Sequence, residues 1–301
     1  MGEPVSQESG HVALCGARVA QLYGQGVSRL VVIGDVGGHL DVFSQALLDA
    51  GCVLATGQVP DGTTVIQVGD LVHRGSDSDG CVELADRFLS RSSGRYIQLF
   101  GNHEGHELGG PMMVGYDDQV GVRARATLER WWAGRSATLA VAVDTAAHGP
   151  MLVVHGGLTV RHWQSIGAPR DPLEAAKLLS AAVGESPAEA FRAGLMLTGS
   201  GNDAGPTWAE AGFELYGSWL QHPDPPPFGQ IHGHSSGFRW RDGVWRPGTP
   251  QSVRTATTRI DRERRQTWTD IAGCPFIGID PGHGAEPATP WSPLVLDGDL
   301  R

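Results

Sequence analysis

At 301 residues, with 40% hydrophobic and 7% aromatic side chains, the chain is long enough to bury a large core and has the composition of an ordinary globular enzyme. A formal charge of −10, with Lys177 the single lysine, excludes a general nucleic-acid binder, because phosphate backbones need a basic face. No apolar run nears the ~18 residues of a membrane span, and Cys15, Cys52, Cys81 and Cys274 are too scattered for a disulfide frame, so a reducing, cytoplasmic setting without membrane attachment is expected.

In chain order, residues 1–10 are polar and read as an unstructured tail. Residues 11–27 read as a short helix or hairpin at an edge. A strand is expected over 29–34. An amphipathic helix over 41–50 follows, with Leu40, Phe43, Leu47 and Leu48 at helical spacing and Asp41 as cap. Val59-Pro60-Asp61-Gly62 is a turn before a strand at 63–68. Asp79 opens a second amphipathic helix through Val82, Leu84, Ala85 and Phe88, and 95–100 is a third strand. Strand, helix, strand, helix, strand is the pattern of βαβ units and a largely parallel sheet. Residues 105–135 are glycine-rich, then helical around Leu128, Trp131 and Trp132, and read as an excursion over a site. Ala137–Val143 and Met151–His155 form an antiparallel pair that begins a second sheet. Residues 171–195 are helical, and 200–206 are a loop. A strand at 228–232 follows the proline run 223–227, Thr249–Trp268 is an arginine-rich, weakly alternating stretch, and Cys274–Gly284 is a last strand and loop before Leu294-Val295-Leu296.

Five of these strands end on a ligand-type residue beside glycine. They close on Gly34-Asp35, Gly69-Asp70, Gly101-Asn102-His103-Glu104, His155-Gly156-Gly157 and Gly233-His234. Ligands of parallel sheets collect at the C-terminal strand ends. Two carboxylates, an amide and two imidazoles gathered there suit divalent Mn, Fe or Zn.

In their order, Gly34-Asp35, Gly69-Asp70-Leu71-Val72-His73-Arg74-Gly75, Gly101-Asn102-His103-Glu104, His155-Gly156-Gly157 and Gly233-His234-Ser235 resemble the motif set of calcineurin-like metallophosphoesterases. The likeness is closest to their phosphoprotein-phosphatase branch, bacterial members included, and runs from about residue 29 to about 297. It implies an α/β fold of two mixed β-sheets packed as a sandwich and flanked by helices. One domain would span 29–301, after a tail and edge segment at 1–28, with helical insertions near 105–135 and 163–200. It implies two divalent metal ions: Asp35 on the first, Asp70 bridging, and Asn102, His155 and His234 on the second. Arg74 would hold the substrate phosphate beside Asn102 and His73, and His103 would protonate the leaving alcohol. Two cations clamp an in-line displacement at phosphorus.

The sequence departs from that pattern twice. Gly37 stands where the family has a histidine ligand of the first metal, and His73 stands where it has an aspartate. His39 or, better, His73 is expected to rebuild the first metal's side. Glu104 is expected to brace its loop or pair with a base rather than react, and Trp208-Ala209-Glu210 to face the rim of the site. The expected activity is hydrolysis of phosphate monoesters, in a phosphoprotein or a small molecule. The alternatives are hydrolysis of dinucleoside polyphosphates and a degenerate phosphate-binding pseudophosphatase.

Overall fold

Apolar, β-branched runs bounded by glycine become the first strands of the computed structural model, which describes residues 28–116, 119–185, 187–199 and 203–301. β1 (Arg29–Ile33), β2 (Thr63–Gln67) and β3 (Tyr96–Gln98) pair in parallel, with α1 (Leu40–Asp49) and α2 (Ser78–Arg91) as crossovers. The two helices start from His39 and from Asp77, whose carboxylate accepts from the Gly80 amide, and not from Asp41 and Asp79. Both expected caps lie inside the first turn, where a carboxylate still complements the helix dipole. The tail at 1–10 and the edge segment at 11–27 lie outside the described residues.

α3 (Asn102–Glu107) and α4 (Val122–Gly134) lead to the expected antiparallel pair, β4 (Ala140–Thr145) and β5 (Gly149–Val154). α5 (Val160–Ser165), α6 (Pro172–Ser180), α7 (Pro187–Ala190) and α8 (Leu195–Thr198) follow. A π-helical turn, Ala211–Tyr216, runs into α9 (Gly217–Gln221). β6 (Gly229–His232) joins β5 in parallel. β7 (Phe238–Arg239) and β8 (Val244–Trp245) form a small ribbon. The arginine-rich stretch holds a helix that was not expected, α10 (Gln251–Ala256), and then β9 (Thr257–Asp261) and β10 (Gln266–Ile271). β11 (Cys274–Gly278) pairs with β10 and β6, and β12 (Leu294–Leu300) closes the chain.

The strand order β3-β2-β1-β12-β4-β5-β6-β11-β10-β9 is continuous, yet the sheet is folded into two layers by β12. Its first half, Leu294–Asp297, pairs with β1, and Gly298–Leu300 pairs with β4. Gly298 marks the hand-over, for a Cβ there would fall on the Asp144 carbonyl. Leu30, Val32, Ile66, Val68 and Leu99 pack against Val143, Met151, Val153, Ile231 and Ile277 between the layers. The alternate strand residues Val31, Ile33, Val65, Leu152 and Val154 face the helices through Phe43, Phe88, Ala175 and Leu179. Fully burying each such side chain contributes roughly 1.5–3 kcal/mol. The result is the expected sandwich of mixed sheets flanked by helices, with the tips of β1, β2, β3, β5 and β6 along one edge. No described helix is long and apolar enough to cross a membrane.

Candidate metal centre

Close backbone approach is what lets five strand tips meet. A Cβ on Gly101 would collide with the Asp70 carboxylate, and one on Gly233 with that of Asp35. Gly101→Ala should therefore push Asp70 out of line. Since a shift of ~1 Å can cost about 10²-fold in rate, the variant should keep its far-ultraviolet circular dichroism while losing metal content and about two orders of magnitude of turnover. Wild-type metal content and turnover would refute the expected displacement.

The Asn102 Oδ1 lies 2.7 Å from His234 Nδ1 and 3.1 Å from His155 Nε2, which is itself 3.3 Å from Asp70 Oδ1. One donor atom each of Asp70, His155 and His234 lies within 4.8 Å of the others, and all three residues are buried. Donors at ~2.1 Å from one ion stand about 3–4 Å apart, so this set fits a divalent cation. His155 Nδ1 donates to the Val68 carbonyl at 2.9 Å, which fixes the ring and aims Nε2 at the cluster. His234 Nε2 is buried without a hydrogen-bond partner among the described residues. Asp35 accepts the His234 amide on both oxygens, at 3.1 and 3.0 Å. Burial, then the negative charges of Asp280 and Asp70, raise its pKa well above the carboxylate range. A buried carboxylate that feels the charge of two others is an environment a cation relieves. Burial would also raise Asp70, but His103 and His155 outweigh it and hold its pKa below the usual range.

The surrounding loops are strained where they carry these groups. Asp70, His73, Arg74 and His234 are four of the nine non-glycine residues with positive φ among the described residues. Such backbone costs on the order of 1–3 kcal/mol per residue and persists where neighbours over-determine it. Here they do. The Asp70 carbonyl accepts the Gly37 amide at 2.8 Å and the Val36 amide at 3.2 Å. The Glu104 carboxylate accepts the amides of Asp70, Leu71 and Gly101 at 2.7–2.8 Å. Glu104 is therefore the brace that its position next to His103 suggests.

Arg74 is solvent-exposed; it donates to the His283 carbonyl at 3.0 Å and points Nη2 at His103 Nε2, 3.4 Å away. Burial, offset by Asp70 but reinforced by Arg74 and His73, depresses His103 to about 3. Trp208 is buried and lies edge-on to His234 with ring centres 5.7 Å apart. His232 is packed behind, its Nε2 2.6 Å from the Tyr216 hydroxyl.

Two histidines lie apart from the cation cluster. His39 points Nε2 at the Gly284 carbonyl, 3.0 Å away, and sits edge-on to His283. His73 has both ring nitrogens engaged elsewhere, with His103 at 2.8 Å and with Glu107 at 3.0 Å. The expectation that His73 serves the first metal finds no free nitrogen to carry it. Sequence reasoning passed over Glu107, although it stands four residues after His103 on one helix face.

Comparison with known proteins gives one family. The model described as calcineurin-like phosphoesterase matches residues 28–237. Among solved structures, a cold-active protein tyrosine phosphatase is 18% identical over 91% of this chain and 77% of its own, with a TM-score of 0.50. One from a psychrophilic Shewanella species is 19% identical over 84% and 80%, with a TM-score of 0.46. A metallophosphoesterase from Sphaerobacter thermophilus is 24% identical over 44% and 48%, with a TM-score of 0.28. No curated protein shows significant similarity to the chain.

Proposed function

The chain belongs to the calcineurin-like phosphoesterases, metal-dependent hydrolases of phosphoester bonds, and we propose that it is a phosphomonoesterase with two divalent cations. One observation carries the reading: the buried Asp70, Asn102, His155 and His234 donors converge while Arg74 and His103 meet beside them. In this reading Asn102, His155, His234 and Asp70 hold one cation, and Asp35 with Asp70 holds the other. Bound there, such ions polarise the phosphoryl oxygens and lower the pKa of water.

The protein's own groups do the rest. The Arg74 guanidinium forks onto the phosphate oxygens. His103 holds the proton that the leaving alcohol receives. Its low pKa means that substrate must help charge it, and a phosphate dianion docked on Arg74 acts in the same direction as Asp70. Mn, Fe or Zn fits the donor set. The substrate is a phosphate ester, phosphoprotein or small molecule.

The test is turnover of an aryl phosphate and of diadenosine tetraphosphate by Mn- or Zn-loaded protein, before and after chelation. The reading expects hydrolysis of the aryl phosphate alone, abolished by chelator and restored by metal. Turnover of the dinucleotide alone would replace it with the polyphosphatase reading. Phosphate binding with no turnover of either would leave a pseudophosphatase.

A further inference from the structure

Three side chains outside the cation cluster form one hydrogen-bonded line behind His103. Arg125 Nε donates to Glu107 Oε2 at 2.8 Å. Glu107 Oε1 lies 3.0 Å from His73 Nε2, and His73 Nδ1 lies 2.8 Å from His103 Nδ1. His73 has no exposed surface, and the side chain of Glu107 is 1% exposed. Tyr116 stacks on the His73 ring with centres 4.9 Å apart and meets His103 edge-on at 5.1 Å.

With His73 neutral, the line can be protonated in one consistent way. A carboxylate held by Arg125 only accepts, so His73 carries its hydrogen on Nε2. Neutral His73 then offers a lone pair at Nδ1, and the hydrogen between the two rings must belong to His103 Nδ1. That leaves His103 Nε2 as the acceptor of the Arg74 Nη2 hydrogen, the direction in which that contact points.

We propose that Glu107, acting through His73, is the positioning residue that locks the ring orientation and tautomer of His103, so that Nε2 and not Nδ1 faces the leaving oxygen. The inference rests on the monoesterase reading above. Once the phosphate dianion engages Arg74, the freed His103 Nε2 takes up a proton from solvent, so His103 enters the step as the imidazolium; water then forms the new P–O bond and releases its own proton to solvent. The electron pair of the breaking P–O bond passes to the ester oxygen, which takes the proton from His103 Nε2 to leave as alcohol. The Nδ1–H of His103 stays donated to His73 throughout. Glu107 and His73 touch neither substrate nor cation. Their effect is therefore felt where the leaving group needs a proton, and hardly where it does not.

The experiment compares holoenzyme turnover of an alkyl phosphate with that of 2,4-dinitrophenyl phosphate in the wild type, Glu107→Ala, His103→Asn and their double variant. Glu107→Ala should lose about 10- to 100-fold on the alkyl ester and no more than roughly three-fold on the dinitrophenyl ester. In the double variant it should add nothing to His103→Asn. The imidazole ¹⁵N shifts should show His103 protonated on Nδ1 in the wild type and a mixture of tautomers in Glu107→Ala.

His73→Asp in the Glu107→Ala background guards against a folding defect. Asp Oδ1 is as many bonds from Cα as His Nδ1, and aspartate tolerates the φ of +72° at this position. It should accept the His103 Nδ1 hydrogen directly and recover the alkyl activity. Equal losses on both esters, full additivity with His103→Asn, or an Nε2-protonated His103 in the wild type would each overturn the proposal. A wild type that turns over neither ester would overturn the monoesterase reading instead.

Discussion

Asp70→Asn is expected to leave the fold in place, to strip the protein of most of its metal and to lower kcat/KM by at least about 10³-fold. The backbone argument comes first. Asp70 has φ +55°, a conformation that asparagine adopts nearly as readily as aspartate. Its amide stays tied to Glu104 and its carbonyl to the Gly37 and Val36 amides, none of which the substitution touches. The side-chain argument follows. Oδ1 accepts the His103 amide at 3.0 Å and faces His155 Nε2 at 3.3 Å, so the charge of Asp70 is spent on the cluster and not on the core. Replacing one oxygen by NH₂ removes that charge and turns a donor toward groups that need an acceptor. Elemental analysis and aryl phosphate turnover measure the outcome. A variant that keeps a full complement of metal and stays within ten-fold of wild type would show that Asp70 is no bridging ligand.

The strand tips were readable because parallel strands buried on both faces appear as unbroken apolar runs, and the glycine after each run marks where the chain must turn tightly. What the local pattern could not supply was the partner across the fold. His39 and His155 both stand next to glycine, and neither neighbourhood says which one faces cations. The carbonyl of Gly284, 245 residues downstream, claims His39, while that of Val68 orients His155. His73 was drawn toward the first metal by its nearness to Asp70 in sequence. Its positive φ swings the ring the other way, onto His103 and Glu107. The i,i+4 spacing of His103 and Glu107 was the available signal. The helix over Gln251–Ala256 buries one large apolar side chain, Val253, so it carries no periodicity to read. The joining role of β12 depends on pairing its halves with strands some 150 and 260 residues away, which no window shows.

Glu104→Ala should be the most damaging single change to stability. The carboxylate is 1% exposed and accepts three backbone amides from two loops: Asp70 and Leu71 after β2, and Gly101 after β3. Burial and then the Asp70 charge push its pKa up, and the amides pull against them. Truncation removes a costly buried charge, a gain, but strands three amides where their own loops offer no acceptor. Each unsatisfied donor costs about 1–3 kcal/mol, so the net loss should be about 3–5 kcal/mol, a fall of roughly 5–8 °C in Tm. Glutamine separates the causes. Its single oxygen can still take the Asp70 and Gly101 amides, both now held by Oε2, while its NH₂ group meets the Leu71 amide donor to donor. Glu104→Gln should therefore lose about half as much as alanine. Because both loops carry residues of the proposed cation site, divalent metal should raise the Tm of either variant by less than it raises that of the wild type. Thermal melts with and without Mn measure both effects. Were alanine and glutamine equally mild, within ~1 kcal/mol of wild type, the two strand tips would have to be held together by their glycine contacts and not by this carboxylate.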